Sequence, residues 1–279
     1  MISVRASYQY CRRVARTRAK NFYYSFVLLS KEQKDAMCAM YAFMRYCDDL
    51  SDEPGATAAS MKKWRADFTR ALNGRFDEHP LWPAFHDAVT RFKIPQQYFY
   101  DMIDGVESDL TPHTVRTFED LYQYCYCVAS VVGLTTIHIF GFNDPAATKL
   151  AEKCGIAFQL TNILRDVRED AGLGRVYIPS EDLQRFGVRP EELGGSERTE
   201  GFLRLMTFEA DRARRYYEAS RPLIEMVDQR SRSSLWVLIT IYWRLLEKIQ
   251  ASHYDVLSRR ISLSTWEKLR IVGRGLVMR

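Results

Sequence analysis

Two stretches far apart in this chain run from an apolar helix directly into a row of acids, and that juxtaposition restricts the fold more than any other feature. The first runs Tyr41-Ala42-Phe43-Met44-Arg45-Tyr46-Cys47-Asp48-Asp49-Leu50-Ser51-Asp52-Glu53. Asp48 and Asp52 sit at i and i+4 and share one helix face, with Arg45 and Tyr41 on the same stripe one and two turns earlier. Met37, Met40, Ala42, Phe43 and Met44 make the rest of the helix apolar, so it is expected to be largely buried. Like charges at i,i+4 repel, and buried carboxylates cost several kcal/mol unless they are paired or metal-bound. A plainer reading stays open for this segment alone: acids ending a helix before the Glu53-Pro54-Gly55 turn, although acids there oppose the helix dipole.

The second stretch repeats the pattern with Gln159, Asn162, Arg165, Asp166, Arg168, Glu169 and Asp170. Asn162, Asp166 and Asp170 are spaced i, i+4, i+8, with Gln159 one turn earlier and Arg165 alongside. A solvated helix face would alternate its charges and would not open with Gln and Asn. Two oxygen-bearing stripes without His or Cys suit a hard divalent cation, Mg²⁺ rather than zinc. The absence of a Glu-x-x-His pair argues against a di-iron bundle. Mg²⁺ commonly shares its octahedral sphere with substrate phosphates, which gives Arg45 and Arg165 a role as phosphate contacts. Arg175 and Tyr177 follow in the short segment Gly174-Arg175-Val176-Tyr177-Ile178-Pro179, where a surface charge and a core ring are the competing readings.

Helical periodicity fills most of the chain, over about 3–19, 32–50, 57–73, 81–92, 95–109, 118–140, 145–170, 198–228, 231–250 and 264–277. Ser30 with Gln33 three residues on forms a capping-box pattern, and Pro95 suits a first helical turn. Breakers fall at Glu53-Pro54-Gly55, His79-Pro80, Thr111-Pro112, Asn143-Asp144-Pro145 and Gly194-Gly195. There is no alternating strand series, repeat or Pro/Gly/Ser-rich linker. The 279 residues therefore read as one all-α domain. A 47% apolar fraction supports a sizeable core and excludes a disordered chain. No uninterrupted apolar run reaches the ~18–20 residues of a membrane span. Cys11, Cys38, Cys47, Cys125, Cys127 and Cys154 form no CxxC knuckle pair, so buried, reduced thiols of a cytoplasmic protein are expected.

The net charge of +5 is uneven: the first 31 residues lack acids but hold Arg5, Arg12, Arg13, Arg16, Arg18, Lys20 and Lys31. A transit peptide, a basic tail for RNA or anionic lipid, and an integral helix facing an anionic ligand all fit that composition. RNA binding is disfavoured because the strongest polar motifs are acidic.

These residues resemble the squalene/phytoene synthase family of head-to-head prenyl transferases along nearly the whole chain. The likeness rests on Lys20-Asn21-Phe22-Tyr23-Tyr24, the Tyr41 to Asp52 segment, Tyr124 to Gly133, and Gln159 to Asp170 followed by Gly174 to Pro179. The segment Ile103 to Leu110 points toward the short bacterial members that make presqualene diphosphate in the hopanoid route. The resemblance implies an isoprenoid-synthase helical bundle over residues 1–279, with a central substrate cavity.

It further implies a metal site of Asp48, Asp52, Asn162, Asp166 and Asp170 for Mg²⁺, with Mn²⁺ as a substitute. Arg18, Ala19, Lys20, Asn21, Phe22, Phe26, Tyr41, Arg45, Gln159, Arg165, Arg175 and Tyr242 would contact substrate, joined by Tyr254 and Arg259. Tyr41, Arg45, Asp48, Asp52, Tyr126, Asp166 and Tyr177 would act in the reaction. Asn21 departs from the Ser that many relatives carry there, though an amide still donates to a phosphate oxygen.

The expected reaction joins two farnesyl diphosphates to presqualene diphosphate. Squalene (with NADPH), dehydrosqualene, or phytoene from geranylgeranyl diphosphate are the rivals, and the use of NADPH stays open. A bulky Phe26 one turn after Phe22 is expected to shorten the prenyl tunnel and favour C15 chains. Phe22, Phe26, Tyr41, Tyr126 and Phe158 are candidate rings for shielding an allylic cation. The released diphosphate or a Tyr would take the proton. The chain is expected to be cytoplasmic, with peripheral contact at the inner membrane surface, no membrane anchor, and other isoprenoid enzymes as downstream partners. A helical assembly factor, the non-enzyme alternative in this family, is argued against by the retained acids.

Overall fold

The structure, a computed structural model, describes residues 2–19, 21–52, 57–76, 79–111 and 114–277. Lys20 and the side chain of Asp52, both singled out above, lie outside the described residues. Among the described residues no strand forms, only isolated bridges pairing Thr114 with Val176 and Phe142 with Val227. The helices are α1 (Val4–Arg18), α2 (Phe22–Phe26), α3 (Lys31–Asp52), α4 (Ala58–Leu72), α5 (Trp82–Arg91), α6 (Gln97–Ser108), α7 (Phe118–Cys125) and α8 (Val131–Phe140). They continue with α9 (Ala146–Gly172), α10 (Ser180–Phe186), α11 (Glu200–Ser220), α12 (Leu223–Met226), α13 (Gln229–Ala251) and α14 (Thr265–Val277).

α3 starts where the capping box places it: the Gln33 amide N–H donates to Ser30 Oγ at 3.3 Å, and the Ser30 N–H donates to Gln33 Oε1 at 3.4 Å. The same Gln33 side chain donates to the Ile139 carbonyl at 3.1 Å and to Ser231 Oγ at 2.9 Å. One residue thus caps α3 and ties it to the end of α8 and the start of α13.

α3 is apolar on two faces with different partners. Phe43 stacks on Phe85 at 4.7 Å and on Trp64 at 5.6 Å, and meets Phe99 edge-on at 5.4 Å. Trp64 Nε1 lies 3.0 Å from Cys47 Sγ on the same face. This aromatic cluster, contributed by α4, α5 and α6, clamps one side of α3. The other side carries Met37, Met40, Tyr41, Met44, Arg45 and Asp48, which line an internal cavity.

α9 forms the opposite wall and packs against α8, α11 and α13. Between α7 and α8, residues Tyr126–Ser130 form a π-helical turn, so the helix expected over 118–140 is continuous but locally widened. That widened turn meets two glycines at backbone distance. A Cβ on Gly155 would lie 2.5 Å from Ser130 Cα, and one on Gly105 would lie 2.6 Å from Cys127 Cβ.

The 118–140 stretch is, by length and composition, apolar enough to cross a membrane, a property that an uninterrupted apolar run does not reveal. Half of its most apolar window is buried inside the fold.

Three further departures from the periodicity have simple causes. Phe22–Phe26 and Ser180–Phe186 are too short to show a repeating apolar face. The expected 198–228 helix breaks at Arg221 and Pro222, because proline cannot supply the next amide donor. The helix expected from Pro95 starts at Gln97, leaving Pro95 in the preceding turn.

Gly155→Ala should force α9 away from the π-helical turn, with nothing flexible to absorb the methyl. Overpacking of this kind costs about 2 kcal/mol. A thermal midpoint lower by about 4 °C is expected, measured by calorimetry; an unchanged midpoint would show that the contact is slack.

Candidate active site

The cavity between α3 and α9 has a volume of about 350 Å³ and a strongly divided lining. Its body is apolar, with Phe22 and Phe26 from α2, Met102 and Val106 from α6, Val128 and Val132 beside the π-helical turn, and Leu235 and Leu238 from α13. Its polar end collects four carboxylates (Asp48, Asp109, Asp166, Asp170) and three guanidiniums (Arg45, Arg165, Arg175). Both acid stripes therefore reach one space, because α3 and α9 each present their C-terminal turns to it. On each helix the wall changes from apolar to charged along its length: Met37 and Met40 give way to Asp48, and Cys154 and Phe158 to Asp166.

The charges are cross-linked. Arg165 Nε donates to Asp166 Oδ1 at 2.8 Å, and a second guanidinium N–H reaches the other oxygen. Both side chains are largely buried, which strengthens such a bidentate pair. Arg260 Nη2 adds a third contact to Asp166 at 3.1 Å and also pairs with Glu169 at 3.0 Å. On α3, Arg45 pairs with Asp49, which Arg18 also approaches at 3.6 Å.

Asp109, at the C-cap of α6, accepts from Tyr177 Oη at 2.8 Å and from Tyr124 Oη at 3.0 Å. Those two rings stack at 4.8 Å. Arg175 donates to the Ser51 and Asp109 carbonyls, both at 3.3 Å, joining the end of α3 to the end of α6. Burial is the main cause that pushes the tyrosines up: Tyr41 to about 12, Tyr177 higher still, and Tyr124 well above the ordinary phenol value. The phenols thus stay protonated at neutral pH and act as hydrogen-bond donors.

Among the described residues, the buried donor Arg45 Nε and the buried acceptor Asn162 Oδ1 at this polar end have no hydrogen-bond partner. Burial, aided by the negative charges of Asp166 and Glu169, pushes Asp170 up to about 7. A bare amide oxygen and a carboxyl under negative pressure are what a hard cation would relieve. Among the described residues, no three His, Cys, Asp or Glu side chains converge closely enough to hold an ion alone.

Several expected residues fall elsewhere. Tyr126 opens the π-helical turn but does not line the cavity; Tyr124, two residues earlier, does. Arg259 is exposed and pairs with Asp255 at 3.3 Å, while the adjacent Arg260 takes the contact to Asp166. Tyr254 is buried in a left-handed turn at φ 55° and is absent from the cavity wall. Arg18 and Ala19 end α1 outside the wall. Asn21 reaches the cavity indirectly, through a hydrogen bond to the Tyr242 hydroxyl, which Asn162 also contacts. Tyr242 itself stacks on Phe158 at 4.3 Å.

Gln159, Phe158, Phe22, Phe26, Tyr41 and Tyr177 all line the cavity. Sequence reasoning missed Asp109 and Arg260. Asp109 lies within the Ile103 to Leu110 segment that carries part of the resemblance, but no spacing rule links it to Tyr124 and Tyr177.

An all-α bundle holding a deep apolar cavity under a ring of carboxylates and guanidiniums defines an isoprenoid-synthase fold. Residues 15–267 match the model of the squalene/phytoene synthase family. The chain is 37% identical over 281 residues to a phytoene synthase of Mycobacterium tuberculosis, spanning 99% of this chain and 92% of that protein. It is 34% identical over 284 residues to the 15-cis-phytoene synthase of Synechococcus elongatus, spanning 96% and 92%. The crystal structure of a dehydrosqualene synthase in complex with ligand superposes with a TM-score of 0.92 at 29% identity, covering 98% of this chain and 96% of that one. The chain belongs to the squalene/phytoene synthase family and is a prenyltransferase acting on prenyl diphosphates.

Asp109→Ala removes the shared acceptor of two buried hydroxyls. A loss of about 3 kcal/mol is expected in urea unfolding. Tyr177→Phe in the same background should cost less than it does alone, by at least about 0.5 kcal/mol. Strict additivity would exclude the shared acceptor as the link.

Proposed function

We propose that this chain catalyses the Mg²⁺-dependent head-to-head condensation of two geranylgeranyl diphosphates to phytoene. The reaction type is carried by one observation: two acid-bearing helices meet over one apolar cavity, with arginines between the acids. The choice of C20 chains is supported by the near-full-length similarity to two bacterial phytoene synthases.

In this reading Arg45, Arg165 and Arg175 bind diphosphate oxygens, and the free Arg45 Nε donor is available for one of them. Asp48, Asp52, Asn162, Asp166 and Asp170 would hold Mg²⁺, which supplies Lewis-acid stabilisation of the departing diphosphate. The allylic C–O bond breaks, with its electron pair leaving on oxygen. The C2–C3 double bond of the second substrate attacks the cation, and loss of a proton closes a cyclopropane ring. Tyr41 is protonated and therefore serves as a donor; the released diphosphate is the base at hand. The apolar body keeps water from the cation, with Phe22, Tyr41 and Phe158 as flanking rings. The cyclopropylcarbinyl diphosphate then ionises in its turn, the second diphosphate leaving with the C–O electron pair. The ring opens by rearrangement, and loss of a second proton gives phytoene without a reductant, whereas squalene requires a hydride from NADPH at that last step.

A second reading, farnesyl diphosphate to presqualene diphosphate, is favoured by one observation. The Phe26 ring is fully buried in the cavity wall, where its bulk shortens the space open to a prenyl chain.

Mass spectrometry of products from C15 and C20 diphosphates, with and without NADPH, separates the two. Phytoene from C20 substrate without NADPH is expected; conversion of C15 substrate alone would replace the first reading with the second. Phe26→Ala should raise the C20-to-C15 turnover ratio, and an unchanged ratio removes Phe26 as a length determinant. Asp48→Asn and Asp166→Asn should each lower kcat by about a hundredfold or more in folded protein. Chelation should abolish turnover, with Mg²⁺ or Mn²⁺ restoring it. A near-wild-type rate in either variant would refute its metal role.

A further inference from the structure

α14 presents a face that no described residue covers. Trp266 is 75% exposed, Leu269 44%, Leu276 51% and Val277 86%. At 100° per residue these four fall within one arc of the helix surface, with the exposed Gly273 between them. The buried side of the same helix, Ile271, Val272 and Gly275, faces the core. A Cβ on Gly275 would lie 2.6 Å from Val237 Cγ2 and 3.2 Å from Leu28 Cδ1, so α14 lies tight against α13 and the end of α2. Val27, next to Leu28, is itself 55% exposed and extends the apolar arc.

Cations flank this arc. Arg270 and Arg274 are exposed and, among the described residues, make no hydrogen bond or ion pair. With Arg244, Glu247 and Lys248 of α13 they border a shallow groove beside the apolar face, where Arg244 is engaged by Glu247 at 2.8 Å. The only acid of α14, Glu267, is engaged by Lys248 at 2.9 Å and by the Ser264 N–H at 2.6 Å. Arg244, Lys248, Arg270 and Arg274 against Glu247 and Glu267 leave the patch net positive, with Arg270 and Arg274 as its unengaged cations.

We infer that α14 docks this protein on an anionic lipid bilayer, with Trp266, Leu269, Leu276 and Val277 entering the interface and Arg270 and Arg274 contacting lipid phosphates. A helix with Trp and Leu on one side and unpaired arginines at its border has the composition of an in-plane interfacial helix. Two docking partners of other chemistry fit less well. A second copy would set the arginines of two α14 helices near one another, and an acidic protein offers no match for the exposed Trp and Leu. The position gives the contact a purpose: α14 packs directly on α2 and α13, whose Phe22, Phe26, Leu235 and Leu238 form part of the cavity wall. A bilayer at α14 is thus one helix layer from the space that holds prenyl chains, and an apolar product has a short path to lipid.

Co-sedimentation with phosphatidylglycerol-containing vesicles, without substrate, tests this independently of which prenyl diphosphate is used. Binding is expected that falls with added salt and is weak on pure phosphatidylcholine. Arg270→Gln and Arg274→Gln should each lower the partition coefficient about fivefold. Trp266→Ser should lower it too, and brominated lipids should quench wild-type fluorescence more than that of Trp266→Phe. Circular dichroism and turnover of dispersed substrate should be unchanged in all four variants. Equal binding by wild type and the Arg270→Gln/Arg274→Gln double variant overturns the inference, as does absence of binding to anionic vesicles. A dimer that Trp266→Ser dissociates, with no vesicle binding, would assign the face to a second copy instead.

Discussion

Ionic groups at the end of an apolar cavity must be compensated where they stand, and the architecture of this protein is arranged around that requirement. Asp166 is held by Arg165 on its own helix and by Arg260 from the segment before α14. Asp109 is held by two phenols, and Arg175 spans the ends of α3 and α6. Removing one member of such a set leaves a buried charge or dipole uncompensated, which costs more than the intact pair contributes. Compensation is nevertheless incomplete. Arg45 Nε and Asn162 Oδ1 lack partners among the described residues, and Asp170 sits among negative neighbours. A prenyltransferase site has reason to leave such groups unsatisfied, since a bound diphosphate can supply what a donor such as Arg45 Nε lacks.

Periodicity made the helices readable because most are long enough for an apolar face to repeat. It failed where length removed the signal. Phe22–Phe26 is barely more than one turn, yet it carries two rings of the cavity wall. Tyr126, named on the resemblance, opens the π-helical turn, whereas Tyr124 in the last turn of α7 lines the cavity. The acid stripes were legible because i,i+4 spacing on a buried helix is a local property. Asp109 was not, because its meaning depends on Tyr124 and Tyr177 arriving from other elements. The neighbouring arginines Arg259 and Arg260 illustrate the same limit: local composition marks the segment, and only the turn geometry before α14 selects which side chain reaches Asp166.

α3 explains how charge can be placed with precision beside a space that must accept long flexible chains. Its Phe43 face is locked among Trp64, Phe85 and Phe99, side chains with few rotamers and large contact areas. That backing fixes the helix axis, and therefore where Arg45 and Asp48 stand. The glycine contacts of Gly105 and Gly155 with the π-helical turn do the same for the opposite wall. Rigidity lies behind the cavity, not inside it.

Inside, the lining is of a different kind. Met37, Met40, Met44 and Met102 face the chain-holding space, and unbranched thioethers re-pack at little cost. A wall of methionines discriminates poorly between prenyl lengths, because each extra isoprene unit can be met by rotamer changes. Phe26 is the exception: a flat ring, fully buried, on the short helix α2 that α13 and α14 press from behind. Its displacement would require moving that packed layer, whereas displacing a methionine requires only rotation about side-chain bonds. Among the rings of this wall, Phe26 is thus the fully buried one, held on a packed layer that leaves it little room to yield.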